Sequence, residues 1–405
     1  MKGLVGKMGI QEEAMELHKA KNGKLAVASK VDLKDGYDLS LVYTPGVAAP
    51  CQAIEKDKDL SFEYTCRGNM VAVISDGTRV LGLGNIGPEA GLPVMEGKAV
   101  LYKTFADIDA VPLCLDTTDT EKFIQTVRYL QPNFAGINLE DIESPKCYDI
   151  EEALQKIMDI PVFHDDQHGT AIACAAAVLG AMRLIRKDIR QVRIVVNGAG
   201  AAGTAIVRLL LNIGAENVVM LNSKGAMYEG MDMSRINRVQ AALLKETNKD
   251  CRQGGLADMA AGADVLIGVS VPGAFTPEII QSMNENPVVL SLCNPEPEIG
   301  YEAAKAAGAK VVGTGRSDTP NQVNNVLVFP GLFRGAIDVR AREINDDMKL
   351  AAAYAIANLI PEDELREDYV IPDVFNPRTA RAVAEAVAKA AVRSGAARTG
   401  MPSYS

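Results

Sequence analysis

Short apolar runs alternate with helical patterns over most of the chain, and this alternation predicts an α/β protein built on parallel sheets. Apolar runs typical of buried strands cover residues 71–75, 110–116, 134–141, 191–197, 217–221, 263–268, 287–291 and 310–313. Amphipathic or Ala-rich spacing predicts helices over residues 10–30, 99–106, 170–185, 204–212, 340–358 and 378–393. The stretch 39–47 is also apolar and ends on Pro45-Gly46-Val47, with Tyr43 just before these residues.

These elements divide the 405 residues into three parts. We expect an N-terminal α/β domain over residues 1–163, a doubly wound Rossmann-type dinucleotide-binding domain over residues 164–335, and a helical C-terminal segment over residues 336–405 that packs on the other two. A chain of this length can build a separate core for each of two or three domains.

A polar run interrupts the apolar pattern where a predicted strand gives way to a predicted helix. It reads Pro161-Val-Phe-His-Asp-Asp-Gln-His-Gly-Thr170 and contains two adjacent acids and two of the three histidines. Carboxylates between buried elements need a cation or several donors, so the run favours a metal or catalytic site. The alternative is a helix N-terminus, at which Asp165, Asp166 and Thr170 bond to free backbone N–H groups.

Two further acids, Glu140 and Asp141, follow another strand-like run. Together with Asp166 they would form an all-carboxylate site, which suits Mg²⁺ or Mn²⁺. Adjacent residues at a strand end point to opposite sides, so both acids reach one ion only if the chain turns there. A zinc site at His164 and His168 is the alternative, although their spacing lacks the Glu of H-E-x-x-H.

Two stretches match the glycine fingerprint G-x-G-x-x-G. Gly198-Ala-Gly-Ala-Ala-Gly203 follows a predicted strand and precedes an unbroken helical pattern, so we predict that it binds the pyrophosphate of a dinucleotide. We reject Gly82-Leu-Gly-Asn-Ile-Gly87 for this role because Pro88, Gly91 and Pro93 should break the helix that the motif requires.

For several side chains the sequence pattern alone does not separate a functional role from a structural one. Ser270, Asn294 and Asn325 stand near the ends of predicted strands, which face the ligand in a doubly wound sheet, although the asparagines have turn positions as an alternative. Lys98 stands at the start of a predicted helix, where a lysine is usually solvated. Tyr43 has an interfacial aromatic as its alternative, with the hydroxyl bonded to backbone.

Composition argues against some classes of partner. The net charge is -10 at pH 7, the pI is about 5.1 and no Lys/Arg run occurs, which argues against nucleic acid. Residues 1–9 lack a sustained apolar core and the apolar run 171–182 is too short for a bilayer, so we expect no signal peptide and no membrane partner. The seven cysteines are scattered without a Cys-x-x-Cys, as in a reduced cytoplasmic protein.

Over nearly its whole length the chain resembles the malic enzyme family, in particular its short bacterial type. The matching motifs occur in this order: Tyr43-Thr-Pro-Gly, Leu81-Gly-Leu-Gly-Asn-Ile-Gly87, Glu96-Gly-Lys98, Asn138-Leu-Glu-Asp141, Phe163-His-Asp-Asp-Gln-His-Gly-Thr170, Gly198-Ala-Gly-Ala-Ala-Gly203, Cys293-Asn-Pro295 and Asn324-Asn-Val-Leu-Val-Phe-Pro-Gly331. The resemblance implies oxidative decarboxylation of L-malate to pyruvate and CO₂ with NAD(P)⁺ and Mg²⁺ or Mn²⁺. It also implies that the N-terminal domain binds substrate and metal, and that the enzyme is a homodimer.

The resemblance assigns a role to each site residue. The metal would be held by three carboxylates: Glu140, Asp141 and Asp166. Lys98 would be the general base for the C2 hydroxyl, Asp165 would pair with Lys98, and Tyr43 would protonate C3 of enolpyruvate. A lysine acts as a base near neutral pH only if burial or a nearby cation lowers its pKa. Malate's carboxylates would be bound by Asn294 and Asn325, with Arg79 adding a positive charge.

The cofactor would lie on the second glycine motif and on the strand ends beside it. The expected contacts are Gly198, Gly200, Ala201, Ala202, Gly203, Asn222, Ser223, Lys224, Ser270 and Asn294. Asn222 stands where NAD-specific domains carry an acid that repels a 2′-phosphate, and Lys224 could meet that phosphate, so we favour NADP⁺ over NAD⁺. The alternative is that Lys224 is a solvated turn lysine and that Asn222 does not discriminate.

Two other functions stay open at this point. A malolactic enzyme would use the same site but retain the cofactor and release lactate. A non-catalytic dinucleotide or metabolite sensor would use only the Rossmann domain and would need no acid, base and metal together.

Overall fold

The computed structural model describes residues 9–402, apart from the side chain of Arg235. Residues 1–8, which belong to the stretch where no signal peptide is expected, and residues 403–405 lie outside the described residues. Within the described part the chain forms two mainly parallel sheets and many helices, so the predicted α/β fold is confirmed.

The described strands are β1 Met70–Ser75, β2 Asp109–Cys114, β3 Gly136–Leu139, β4 Val162–His164, β5 Arg193–Asn197, β6 Asn217–Asn222, β7 Gly225–Ala226, β8 Val265–Gly268, β9 Val288–Ser291 and β10 Val311–Thr314. The described helices are α1 Ile10–Lys21, α2 Gly36–Val42, α3 Ala48–Lys56, α4 Ser61–Tyr64, α5 Pro88–Ala106, α6 Thr120–Leu130, α7 Lys146–Ile157, α8 Asp165–Ile185, α9 Ala201–Ile213, α10 Arg238–Leu244, α11 Leu256–Ala260, α12 Pro277–Gln281, α13 Tyr301–Ala306, α14 Phe329–Asp338, α15 Asp346–Ala357 and α16 Thr379–Ser394. Short 3₁₀ helices occupy Lys58–Leu60, Cys66–Asn69, Gln131–Asn133, Met233–Arg235, Asn325–Leu327 and Glu362–Glu364.

The first sheet has the strand order β2-β1-β3-β4, and all of its pairs are parallel. The register pairs Ile74 of β1 with Leu139 of β3, and Leu139 with His164 of β4. Because these strands end at one edge of the sheet, the residues that follow them are neighbours in space.

The second sheet has the strand order β10-β9-β8-β5-β6-β7, and only the β6–β7 pair is antiparallel. Read from β7, this is the 3-2-1-4-5-6 order of a dinucleotide-binding Rossmann fold, with a short reversed β7. The order changes direction between β5 and β8. Ligands of such sheets bind where the direction changes, outside the carboxyl ends of the strands.

Helix α8 lies in a core that contains residues of both sheets. Its residues 171–178 are buried in one cluster with Val71 and Val73 of β1 and with Ile194 and Val196 of β5. Among the described helices, α8 alone is long and apolar enough for a membrane span, but 67% of its most apolar window is buried inside the protein. We therefore interpret α8 as a core helix.

Helix α5 differs from the prediction. Gly91 and Pro93 lie inside it, and Lys98 is near its middle rather than at a helix start, so the prediction of a broken helix was wrong. Pro88 lies in the first turn, where a backbone N–H has no partner in any case, and Pro93 removes one bond of the second turn. Gly82 is still a poor fingerprint residue, because it lies within the loop that separates β1 from α5 rather than directly after a strand.

The N-terminal elements also differ from the prediction. The helix expected over residues 10–30 ends at Lys21, because Asn22 and Gly23 adopt positive φ angles of 54° and 94°. Residues 39–42 of the apolar stretch 39–47 belong to α2, and the rest of the stretch lies beyond its end. No residue of α1, α2 or α3 is buried.

The other predicted strands and helices are present with shifted ends, and the helix expected over residues 340–358 is confined to Asp346–Ala357. The expected domain boundaries at 163/164 and 335/336 fall inside β4 and α14. These boundaries stay predictions.

Candidate active site

Four acids lie at the carboxyl ends of two neighbouring strands. Glu140 and Asp141 follow β3, and Asp165 and Asp166 follow β4. Because the last residues of the two strands are paired in register, the two acidic pairs are brought together. Oxygen atoms of Glu140, Asp141 and Asp166 lie within 4.8 Å of one another.

A tight turn allows both acids after β3 to reach this point. Asp141 has a φ of 53°, in the left-handed region that non-glycine residues seldom adopt. Its backbone N–H donates a 2.7 Å hydrogen bond to Asp166 Oδ2. The turn therefore meets the condition under which adjacent strand-end acids can share one ion.

Glu140 is held by a hydrogen-bond chain that sequence reasoning missed. The hydroxyl of Tyr102 donates to Asn138 Oδ1 at 2.8 Å, and the amide of Asn138 donates to Glu140 Oε2 at 2.8 Å. All three side chains are buried. The available signal was Asn138 at the head of the motif that carries Glu140, since nothing in the local sequence connects Tyr102 to it.

Lys98 lies between two of the acids. Its Nζ is 2.5 Å from Asp165 Oδ2 and 2.5 Å from Glu140 Oε2, and it stands 4.5 Å from the ring centroid of Phe329. Only 6% of the lysine is exposed. The position of Lys98 in the middle of α5 carries its side chain into the site, which a lysine at a solvated helix start would not reach.

The charges of the cluster decide the protonation states. Burial raises the pKa of Asp141 to about 9, helped by Asp166 and Glu140, and burial raises the pKa of Glu140 to about 7 against the opposing effect of Lys98. Burial lowers the pKa of Lys98, but Asp165 and Glu140 outweigh it and raise that pKa above its ordinary value. The expected lowering of the Lys98 pKa therefore requires a further cation.

Asp165 connects Lys98 to a predicted substrate residue. The amide of Asn325 donates a hydrogen bond to Asp165 Oδ2, the same oxygen that contacts Lys98. Burial raises the pKa of Asp165 to about 7 despite Lys98. Gly169 is required here, because a Cβ on it would lie within van der Waals overlap of Asp165 Oδ1.

Arg79 lies beside the carboxylates, and Asn294 contacts the loop that carries Arg79. Arg79 is exposed and its backbone N–H donates to the carbonyl of Asp141 at 3.0 Å. Burial raises the pKa of Asp166, and the positive charge of Arg79 is one of the effects that oppose this rise. The loop of Arg79 also meets the second sheet, because a Cβ on Gly82 would lie 3.1 Å from the carbonyl oxygen of Asn294.

Within the described residues, Tyr43 makes no contact with Lys98. It caps the C-terminus of α2, its side chain makes no described hydrogen bond, and 66% of the residue is exposed. Neither the motif nor the interfacial alternative indicated this degree of exposure.

The second glycine motif has the geometry of a dinucleotide-binding turn. Gly198 has a φ of 123°, and a Cβ on Gly203 would overlap the carbonyl oxygen of Gly198. A Cβ on Gly200 would meet nothing within 4 Å, so this backbone is open to a ligand. Ala201 and Ala202 begin α9, whose first N–H groups favour a phosphate.

The remaining predicted cofactor residues stand at the ends of β6 and β8. Asn222 accepts a 2.9 Å hydrogen bond from the backbone N–H of Lys224, and both Ser223 and Lys224 are exposed. Ser270 follows β8 and accepts a 2.9 Å hydrogen bond from the amide of Asn197. Ser270 also donates to Glu298, a fully buried acid that sequence reasoning missed.

The two histidines stand beside the carboxylates rather than among them. Within residues 9–402, the converging group of three or more metal-ligand side chains consists of the three carboxylates alone. His164 Nε2 lies 3.8 Å from Asp166 Oδ2, and His168 Nε2 lies 3.0 Å from Glu151. The geometry therefore favours oxygen ligands over the zinc alternative.

The donor set fits a hard divalent cation. Asp141 Oδ2 and Asp165 Oδ1 are buried without a hydrogen-bond partner, and Lys98 alone cannot balance four acids. Oxygen ligands that carry excess negative charge are those that Mg²⁺ and Mn²⁺ select.

Replacement of one ligand should stabilise the metal-free protein. Because the pKa of Asp141 is raised to about 9, its folded form holds a proton that the unfolded form releases at about pH 4. This group therefore lowers the stability as the pH rises from about 4 to about 9. Asp141→Asn should raise the free energy of unfolding at pH 8 by about 1–3 kcal/mol.

The measurement is urea denaturation in EDTA at pH 5.5 and pH 8. Asp116→Asn, at an exposed acid after β2, is the matched control and should change neither value. Equal or lower stability of Asp141→Asn at pH 8 would contradict the charge balance described above.

The sequence matches known proteins over most of its length. Residues 22–155 match the family model of the malic enzyme N-terminal domain, and residues 167–392 match that of the malic enzyme NAD binding domain. The chain is 56% identical to the bifunctional malic/malolactic enzyme of Bacillus subtilis, with 96% of this chain and 95% of that protein covered. It is 47% identical to the NADP-dependent malic enzyme of Escherichia coli, with 96% of this chain but 53% of that protein covered.

A solved structure has the same fold. The NAD-dependent malic enzyme of Thermotoga maritima has a TM-score of 0.90 and 47% sequence identity to this chain, with 93% of this chain and 98% of that chain covered. These matches agree with the resemblance inferred from the motifs. The chain belongs to the malic enzyme family.

Proposed function

We propose that the enzyme oxidatively decarboxylates L-malate to pyruvate and CO₂ while it reduces NAD(P)⁺. The observation that carries this proposal is the buried Lys98, held by Asp165 and Glu140 beside three converging carboxylates. A dinucleotide sensor would have no use for a buried lysine at such a group, so we set that alternative aside.

Glu140, Asp141 and Asp166 would hold Mg²⁺ or Mn²⁺. The ion supplies a Lewis acid for the C2 oxygen of malate and a template for its C1 carboxylate. Two of the three side chains are already held in place for this task, because Asn138 donates a hydrogen bond to Glu140 and the backbone of Asp141 donates one to Asp166.

Lys98 takes the proton of the C2 hydroxyl at its Nζ. Asp165 contributes most to raising the Lys98 pKa, and Glu140 and Asp166 add to it. A cation held by Glu140 and Asp166 would cancel these two contributions and repel the ammonium, so that burial favours the neutral amine. Asp165 holds the amine in place through its 2.5 Å contact. The C3–C4 bond breaks as CO₂ leaves, and the hydroxyl of Tyr43 gives C3 of enolpyruvate its proton.

Malate's carboxylates are recognised by Asn294, Asn325 and Arg79. Asn325 already donates a hydrogen bond to Asp165, and Arg79 donates from its backbone N–H to the carbonyl of Asp141, so both residues would stand beside a malate bound at the carboxylates. The arginine contributes a long-range attraction for a dianion, because no described carboxylate binds its guanidinium.

The cofactor lies on the turn at Gly198–Gly203 with its pyrophosphate at the N-terminus of α9, and NAD(P)⁺ supplies the acceptor for the C2 hydride. We favour NADP⁺, because Asn222 offers no carboxylate to repel a 2′-phosphate and the ammonium of Lys224 is exposed nearby. Ser223 can bond to either kind of ribose.

The enzyme acts as a homodimer in which Tyr43 enters the site of a second copy. Helices α1 to α3 bury none of their own residues, and the segment that carries them exposes many large apolar side chains: Ile10, Met15, Leu17, Leu25, Val27, Val31, Leu33, Tyr37, Leu39, Leu41, Val42, Tyr43 and Val47. The segment is fastened to α5 at Lys24, whose Nζ donates to the carbonyl of Pro93 at 2.6 Å. An exposed apolar surface of this kind marks an interface.

The cysteines indicate the compartment of the enzyme. All seven are free thiols, as expected where cellular reductants keep thiols reduced, and we therefore propose that the enzyme is cytoplasmic.

Malolactic turnover of the same small dicarboxylate is the second candidate function, because the Bacillus subtilis relative is named for both activities.

Turnover with malate tests the reaction and the metal together. Malate and added NAD(P)⁺ should give net reduced cofactor, EDTA should abolish it, and Mn²⁺ or Mg²⁺ should restore it. Asp166→Ala should lose metal binding and about 10²–10⁴ in rate. Lactate formation without net reduced cofactor would replace the proposal by the malolactic reaction, and full activity in metal-free buffer would end the metal assignment.

Hybrid dimers test the origin of Tyr43. Tyr43→Phe and Lys98→Ala should each lower kcat by about 10²–10⁴. Co-expression with two different tags isolates hybrids of the two variants. If the tyrosine acts across the interface, one site of each hybrid is intact and about half of the wild-type activity returns. If it acts within its own subunit, each site carries one defect and the hybrid stays as slow as its parents.

Cofactor preference depends on Asn222. The wild type should have the higher kcat/KM with NADP⁺, and Asn222→Asp should shift the ratio toward NAD⁺ by about tenfold or more, because the new carboxylate repels the 2′-phosphate. Asn217→Asp, at the opposite end of β6, is the control and should leave the ratio unchanged. A wild type that prefers NAD⁺ tenfold, or an unshifted ratio in Asn222→Asp, refutes the NADP⁺ preference.

A further inference from the structure

Glu151 is a buried acid outside the catalytic cluster, and none of the roles given above uses it. It lies on α7, and 6% of it is exposed. Within residues 9–402 its ion-pair partner is His168, at 3.0 Å. A buried carboxylate needs several donors to replace its lost hydration, so the identity of those donors indicates what the residue holds in place.

Three of its four donors come from one short segment. Glu151 accepts hydrogen bonds from the backbone N–H of His164 at 3.0 Å, from Gln167 Nε2 at 3.2 Å and from His168 Nε2 at 3.0 Å. The fourth donor, Gln155 Nε2, also bonds to the carbonyl of Val162. These contacts bracket Asp165 and Asp166, at the last residue of β4 and in the first turn of α8.

The surroundings of Glu151 favour its ionised form. Burial acts to raise the pKa of Glu151, but the charge and hydrogen bond of His168 outweigh it and lower the pKa to about 2. An ionised acceptor forms stronger bonds to N–H donors than a neutral one does.

We propose that Glu151 is a positioning residue for the metal site, whose carboxylate fixes the direction in which Asp165 and Asp166 leave the end of β4 through its bonds to His164, Gln167 and His168. The inference rests on the proposed function, because it assigns Asp166 to the metal. Glu151 touches neither the substrate nor the ion. It holds residues 164–168 in one conformation and thereby orients Asp166, the proposed metal ligand, and Asp165, the partner of Lys98.

The alternative is that Glu151 has a purely structural role and only stabilises the fold. Both roles predict a lower melting temperature after mutation, so stability cannot separate them. Metal affinity can, because loss of a residue that orients a ligand typically costs about 10–100-fold in affinity. A merely structural residue leaves the affinity of the folded protein unchanged.

The test compares Glu151→Gln with Glu152→Gln in the full-length chain. Glu152 is the next residue on α7, is partly exposed and pairs with Lys156 at 2.7 Å. Glu152→Gln therefore removes the same charge from α7 as Glu151→Gln does, but at a side chain that does not bond to residues 164–168. The dissociation constant of Mn²⁺ is measured by electron paramagnetic resonance of the free ion without substrate, alongside the melting temperature.

We expect the Mn²⁺ dissociation constant of Glu151→Gln to rise by about 10–100-fold and that of Glu152→Gln to stay at the wild-type value. If Glu151→Gln does not fold, Gln167→Met removes one donor at similar volume and should raise the constant several-fold. A folded variant of either kind with wild-type Mn²⁺ affinity overturns the inference. A wild type that does not bind Mn²⁺ fails the proposed function itself, and the inference with it.

Discussion

Charge balance in a buried site is the constraint on which the rest of this structure depends. Four acids meet at one sheet edge, and each buried ion gives up hydration worth several kcal/mol. One lysine, two amide side chains and a backbone N–H compensate part of this loss, and the remaining excess of negative charge calls for a divalent cation. Parallel pairing of β3 and β4 makes the arrangement possible, because it brings two acidic pairs side by side that are 24 or more residues apart in sequence.

The strands could be predicted because a parallel sheet covered on both faces needs apolar residues along each strand. The central strands β1, β3, β8 and β9 are buried along nearly their whole length. The first half of α5 could not be predicted, because Gly91 and Pro93 are read locally as helix breakers, whereas the second half was predicted as a helix over residues 99–106. The burial of Met95, Ala99 and Tyr102 on the same helix offsets the bond that Pro93 removes, and such tertiary packing has no local signature.

The acids of the site could be predicted from the sequence, but the residues that hydrogen-bond to them could not. Charges after apolar strands are conspicuous in a sequence, and the ordered motifs added Lys98. Asn138 lies only two residues before Glu140, but Tyr102 and Glu151 reach their partners through contacts between separate elements, 36 and 13 residues apart in sequence. The role of Tyr43 stays a prediction: the motif identified the side chain, but periodicity did not reveal that no residue of α2 is buried.

Helix α8 has a consequence for how the two binding regions respond to each other. It starts at Asp165 and Asp166 and continues through a core that contains residues of β1 and β5. Alanine has no side-chain rotamers, and a close-packed interior has few voids, so a small displacement of the helix cannot be absorbed by its neighbours. We therefore expect that a ligand which displaces the N-terminal end of α8 also displaces the residues of α8 that pack on β5.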